Sequence, residues 1–131
     1  MTRIVLDSNI YVSAFVFGGN PAAVLQQAED SIFTLLISPA LKQEVEEVLA
    51  RKFRWPATLI RAACMPIWKQ SLLIVPELNI DECRDSDDNR VLECAFEGNA
   101  DYIITGDFDL LKMKIFRGIK IISPAGFLQL P

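Results

Sequence analysis

The chain has 131 residues, 51% of them hydrophobic, with 13 basic and 17 acidic side chains, a net charge of −4 and no histidine. This length suits one domain with a real core, and the acidic balance is not the profile of a tight, non-specific nucleic-acid binder, although a carboxylate-rich nuclease site would itself make a domain acidic. The absence of histidine excludes imidazole metal ligands, histidine general bases and the serine and cysteine triads that need one.

In chain order, Ile4, Val5 and Leu6 form a first apolar strand, broken by Asp7-Ser8-Asn9. Residues 10–17 then read as a short helix or turn closed by Gly18-Gly19. Asn20-Pro21 is a cap followed by proline and predicts a helix running to Glu29. Residues 33–37 read as a second strand, and Ser38-Pro39 repeats the cap-plus-proline signal for a helix to Arg51. Pro56 opens a further helix with Leu59, Ile60, Ala63, Cys64 and Ile67 at helical spacing. Pro66 inside it predicts a kink or a break.

Residues 72–75 are a short strand or extended piece, and 80–88 a polar, acidic loop. A helix from Asn89 to Glu97 ends at Gly98-Asn99, a C-cap pair. A strand at 102–104, a short helix near Leu110, a last strand at 120–122 and a terminal helical turn opened by Ser123-Pro124 complete the chain. Alternating strands and helices predict an α/β fold with a parallel sheet and helices on both faces, in a single domain over 1–131. No apolar run reaches the roughly 20 residues of a membrane span. The N-terminus enters Arg3-Ile4-Val5-Leu6 without a signal-peptide layout. Cys64, Cys83 and Cys94 lack paired zinc spacing and read as small hydrophobes in a reducing, cytoplasmic setting.

Chemistry in such a sheet belongs just past the carboxyl ends of the strands. Asp7 and Asp107 both occupy that place, with Thr105 ahead of Asp107 and Asp109 just beyond it. Helix capping is the competing reading for Asp7, Ser8 and Asn9. In the helix after Ser38, Leu41, Val45, Val48 and Leu49 define the buried face; Glu44 falls nearest it, Glu46 is intermediate and Glu47 nearly opposite. Asp88 falls on the same side as Val91, Leu92, Ala95 and Phe96, whereas Asp87 points away and, with Asp85, reads as a capping acid. Clustered carboxylates raise one another's pKa, and a divalent cation with hard oxygen ligands, Mg²⁺ or Mn²⁺, resolves that conflict. Such a cation activates water and neutralises a phosphodiester in flight.

Asp7-Ser8-Asn9, Glu44, the Asp85 to Asn89 segment and Thr105-Gly106-Asp107-Phe108-Asp109-Leu110-Leu111, in this order and spacing, resemble the PIN domain family. More narrowly the chain is similar to the toxin components of prokaryotic toxin–antitoxin systems in that family. The resemblance implies a three-layer α/β/α sandwich with a central parallel sheet and a Mg²⁺- or Mn²⁺-dependent endoribonuclease. It implies an acidic quartet of Asp7, Glu44, Asp88 and Asp107, with Asp109 as an additional metal-binding acid and Ser8, Asn9 and Thr105 as supporting polar groups. RNA as substrate, a cognate antitoxin and a homodimer are the partners it implies.

Arg51, Lys52 and Arg54 are the tight basic group in the sequence, and a solvated helix end explains them equally well. Two other readings stay open. One is a phosphatase with Asp7 as nucleophile, although the second acid that chemistry uses two residues on is replaced by Asn9. The other is a catalytically silent binding module whose acids only cap helices.

Overall fold

The computed structural model describes residues 1–131. Its elements are β1 (Arg3–Leu6), α1 (Ser8–Val16), α2 (Gly19–Glu29), β2 (Thr34–Ile37), α3 (Pro39–Arg51), α4 (Ala57–Gln70), β3 (Leu72–Leu73) and α5 (Ser86–Glu97), followed by β4 (Tyr102–Ile104), α6 (Phe108–Leu111), β5 (Ile115–Phe116), β6 (Ile119–Ile122) and α7 (Pro124–Leu128). The strands form one sheet in the order β3-β2-β1-β4-β6-β5. β1 pairs in parallel with β2 on one side and β4 on the other, β3 and β6 extend the parallel array, and only β5 runs antiparallel at the edge.

The apolar runs explain the centre of the sheet. Ile4, Val5, Leu6, Leu36, Ile37, Ile103 and Ile104 lose essentially all solvent contact, as befits parallel strands covered on both faces. Helix α5 packs across β1, β2 and β4, while α3 touches α1, α4 and α5. Chain direction reverses beside β1: β2 and β3 are laid down to one side, and β4 returns to the other. That reversal is a topological switch point, where the strand ends leave a crevice. A hydrogen bond from the Asp7 N–H to the Ile104 carbonyl, 3.0 Å, stitches the two strand ends together.

Several local expectations are met and several are corrected. Ser38 caps α3, its hydroxyl accepting from the Leu41 N–H at 3.3 Å. α2 begins at Gly19 with Gly18 in the left-handed region (φ 79°), so the glycine pair, not Asn20, makes the turn into the helix. No break occurs at Pro66: α4 runs from Ala57 to Gln70 as one helix, held by Ile60, Cys64, Ile67 and Trp68 on its buried side. At the end of α5 the left-handed residue is Asn99 (φ 54°), not Gly98. Gly98 is required for closeness instead, since a Cβ there would meet Leu36 Cδ1 at 2.8 Å and the Cys94 carbonyl at 2.9 Å. The sequence reading also lacks β5, which a two-residue turn of Arg117 and Gly118, both at positive φ, folds back onto β6.

Candidate functional site

The crevice between the ends of β1 and β4 gathers acids from four separate parts of the chain. Asp7 leaves β1 and is 4% exposed. It stands at the N-cap of α1, yet its side chain makes no capping hydrogen bond there. The Thr105 hydroxyl, fully buried, donates to Asp7 Oδ2 at 2.7 Å, and the Ser8 hydroxyl donates to Oδ1 at 3.3 Å. The same Thr105 oxygen accepts from the Asp107 N–H at 3.0 Å. One hydroxyl therefore fixes the exits of both strands relative to each other. Burial raises the Asp7 pKa, and the hydroxyl of Thr105, the nearby Asn9 N–H and the Ser8 hydroxyl offset part of that rise. Asn9 acts through its backbone; its side chain is exposed.

Asp107 does double duty. Its Oδ2 caps α6 by accepting from the Leu110 N–H at 3.1 Å, and the carboxylate also joins Asp88 and Asp109. One oxygen from each of these three acids lies within 4.8 Å of the others. Asp88, in the first turn of α5, is 7% exposed. Burial, then the charges of Asp107 and Asp7, push its pKa up to about 7. Asp109 lies at the outer rim, where Arg84 (3.1 Å) and Lys112 (3.4 Å) pair with it and hold its carboxyl below the usual range.

Glu44 projects from α3 on the other side of the crevice. Burial first, and then hydrogen bonding to the Asp87 carboxyl, push its pKa up to about 7, while the Ser8 hydroxyl opposes the rise. Asp87, exposed and turned away from the buried side of its own helix, is thus near enough to Glu44 to raise its pKa across the α3–α5 contact. Asp85 does cap α5, accepting from the Asp87 N–H at 2.9 Å. Glu46 turns to a different task and accepts from the Trp68 indole N–H at 3.0 Å.

Two buried polar residues that the sequence reading passed over support the loop before α5. Asn89 Oδ1 accepts from the N–H groups of Glu82 (3.0 Å) and Cys83 (2.8 Å), and its Nδ2 donates to the Cys83 carbonyl at 3.1 Å. Glu93 accepts from the Ile80 N–H at 2.8 Å and pairs with Arg90 at 2.7 Å. The available signal was their position: both sit one turn apart on the helix side that carries Leu92, where a polar residue is buried only if it has partners.

The donor set fits a hard divalent cation. It consists of carboxylate oxygens alone, with hydroxyls beside them and no nitrogen or thiolate in the group of three. All three oxygens lie within 4.8 Å of one another, close to the ~4.2 Å across which one Mg²⁺ holds two opposed oxygens. The raised pKa of Asp88 agrees with this: burial raises it first, and the nearby charges of Asp107 and Asp7 raise it further.

The chain was compared with known proteins. A family model described as PIN domain matches residues 3–109. An uncharacterized protein of Methanocaldococcus jannaschii is 31% identical over 120 residues, covering 86% of this chain and 75% of that protein. Among solved structures, a chain of VapBC2 from Rickettsia felis, crystallised bound to a DNA fragment from their promoter, superposes with a TM-score of 0.64. That likeness covers 93% of this chain and 98% of the other at 13% identity, and so speaks to the fold. The matched segment spans β1 through Asp109 and therefore every acid of the crevice, and the chain belongs to the PIN domain family.

Proposed function

We propose that the protein is an endoribonuclease that hydrolyses RNA phosphodiester bonds with Mg²⁺ or Mn²⁺, and that it is the toxin of a toxin–antitoxin pair. The observation that carries this reading is the grouping of Asp88, Asp107 and Asp109 within 4.8 Å at the switch point of the sheet, with Asp7 and Glu44 near enough to share its charge. Asp88, Asp107 and Asp109 are the residues that would hold the cation, with Asp7 and Glu44 completing its outer acidic ring. When bound, the cation supplies an activated water and neutralises the developing charge on the phosphate.

The protein's own groups prepare that event. Thr105 and Ser8 hold the Asp7 carboxylate in one orientation. Asp107 is aimed by its own N–H, through Thr105, and by its cap on α6. Glu44 is tuned to exchange a proton near neutral pH, where general acid–base chemistry is most effective. A cognate antitoxin and a homodimer belong to this proposal, as do a cytoplasmic location and a single nuclease domain. Support for the antitoxin is the fold shared with a chain of VapBC2; no helix here is long and apolar enough to cross a membrane.

Asp107 also caps a helix, which favours a silent binding module as the second reading. One experiment separates the two. The purified chain and its Asp107→Asn variant are incubated with a mixed RNA pool and Mn²⁺, with EDTA as control. Metal-dependent cleavage by the parent and none by the folded variant is expected. Equal cleavage by both would remove Asp107 from the mechanism, and no cleavage together with no Mn²⁺ binding by calorimetry would replace the nuclease with the binding module.

A further inference from the structure

Acids that would hold a cation also repel a polyanion, so something beside them must receive the RNA strand. Arg51 in the last turn of α3, Lys52 at its C-cap and Arg54 just beyond make no ion pair with the acidic crevice. A different group borders it. Phe108 lies between Asp107 and Asp109, and its side chain is 75% exposed, more than any other large hydrophobic residue except Met1. It has no aromatic partner, unlike Phe17, which is also exposed but packs edge-on to Phe53 at 5.9 Å. Lys112, one helical turn on, stands over the Phe108 ring with its Nζ 5.9 Å from the centroid, and also reaches Asp109. Arg84, the most exposed partner in these pairs, reaches Asp109 from the loop before α5. An exposed ring without an aromatic partner thus has Lys112 over it, and Lys112 and Arg84 both meet at the adjacent Asp109 on the edge of the acidic cleft.

The place of Phe108 is that of a stacking platform: every base has a π-face, and an exposed aromatic beside cations is how single strands are gripped without base-edge readout. We infer that one base of a single-stranded RNA segment stacks on Phe108 while Lys112 and Arg84 take the phosphates on either side, which carries the strand into the acidic crevice. Phe108 is here a positioning residue. The inference deepens the nuclease reading above and rests on it. A duplex keeps its bases stacked internally and offers no free face to the ring, so the platform selects single strands.

The test uses fluorescence anisotropy with a labelled, unstructured RNA 12-mer in EDTA, where no cleavage occurs, on the parent, F108A, F108Y, R84A and K112A. Stacking on an aromatic ring is expected to contribute about tenfold or more in affinity, so F108A should bind at least about tenfold more weakly and F108Y should restore binding. R84A and K112A should each lower the slope of log K against log salt by about 0.7, the single-strand value per phosphate contact. Mn²⁺ affinity by calorimetry should be unchanged in F108A, because the ring carries no ligand atom. In cleavage, F108A should raise KM more than it lowers kcat. Equal RNA binding by the parent and F108A, with cleavage intact, would overturn the platform and leave the nuclease standing. An F108A variant that loses self-association in sedimentation but keeps RNA affinity would reassign the ring to a protein interface. A parent that neither binds nor cleaves RNA would overturn both readings together.

Discussion

Thr105→Val is the substitution that isolates the chemistry of the crevice from its packing. Valine matches the shape of threonine, and Thr105 is fully buried, so the change removes a hydroxyl and little else. Two hydrogen bonds go with it: the 2.7 Å donation to Asp7 Oδ2 and the 3.0 Å acceptance from the Asp107 N–H. A bond to a charged group is worth about 1.5–3 kcal/mol, and a donor left without a partner costs about 1–3 kcal/mol. The Asp107 N–H is only partly buried and recovers some of its loss from water, so the total comes to about 2–4 kcal/mol. For a chain of this size each kcal/mol is about 4 °C of Tm, which predicts a fall of roughly 8–16 °C. Asp7 would also lose its largest lowering influence and its pKa would climb further, which moves the acid limb of the cleavage profile to higher pH. Thr105→Ser keeps the hydroxyl and should retain the pH profile while losing only a methyl's worth of packing. Calorimetric unfolding and cleavage rates over pH 5–9 measure both effects. A valine variant within about 0.5 kcal/mol of the parent, the usual range for surface changes, and with an unmoved pH profile, would refute the claim that this hydroxyl organises the site.

Stability should fall as pH rises from about 4 to about 7, because over that window the folded chain keeps protons on Asp88 and Glu44 that the unfolded chain has released. Both carboxyls retain contact with solvent, so screening reduces each contribution to about 1 kcal/mol; urea unfolding at pH 5 and 7.5 in EDTA measures the difference, and equal or greater stability at pH 7.5 would count against the burial argument. Mn²⁺ at about 100 times its Kd should then add about 2.7 kcal/mol at pH 7.5 and much less at pH 5, where the protons compete for the same oxygens. Asn89→Ala should cost about 2–3 kcal/mol by orphaning the Glu82 and Cys83 amides, and those two amides should lose hydrogen-exchange protection ahead of the rest of α5. Pro66→Ala should stabilise the protein by roughly 1–2 kcal/mol, the helix-interior penalty less the gain in unfolded-chain entropy, and an unchanged urea midpoint would mean that α4 has absorbed the missing bond without strain.

What the sequence disclosed and what it withheld divide along one physical line. Signals local to a few residues were legible. Three consecutive apolar residues followed by a polar break located β1 and β4, and Ser38-Pro39 located the start of α3. The acids at the strand ends could be placed on one edge because parallel strands carry their exits to the same side. Features that depend on a second element were not legible. The helical projection turned Asp87 away from the core of its own helix, and correctly so, but its partner is Glu44 on α3, which no projection of α5 contains. Proline 66 broke the local rule, and tertiary packing of Ile60, Cys64 and Ile67 overrode it. Arg117-Gly118 lacks the asparagine or aspartate that announces a tight hairpin, so β5 was hidden behind a turn that only its pairing with β6 reveals. Arg84 lies within the polar, acidic loop, and its pairing with Asp109 beyond β4 is again a contact between separate segments.

The acids also differ in how far the fold compensates them, and that difference bears on where the cation is most needed. Asp7 is satisfied by hydroxyls. Asp107 has the Leu110 amide at the start of α6. Asp109 has two cationic side chains. Asp88 has none of these: no hydroxyl, amide or cation of the protein pairs with its carboxyl, and its neighbours are Asp107 and Asp7. Its position is nonetheless fixed, since it opens the helix that spans β1, β2 and β4 and is followed at once by the buried Asn89 anchor. A rigid element therefore carries an acid into a place where it is stable only if protonated or bound to a positive charge. Beside Asp7, Asp107 and Asp109, each of which has a partner, Asp88 is the acid of the group of three on which a bound cation has the most to gain.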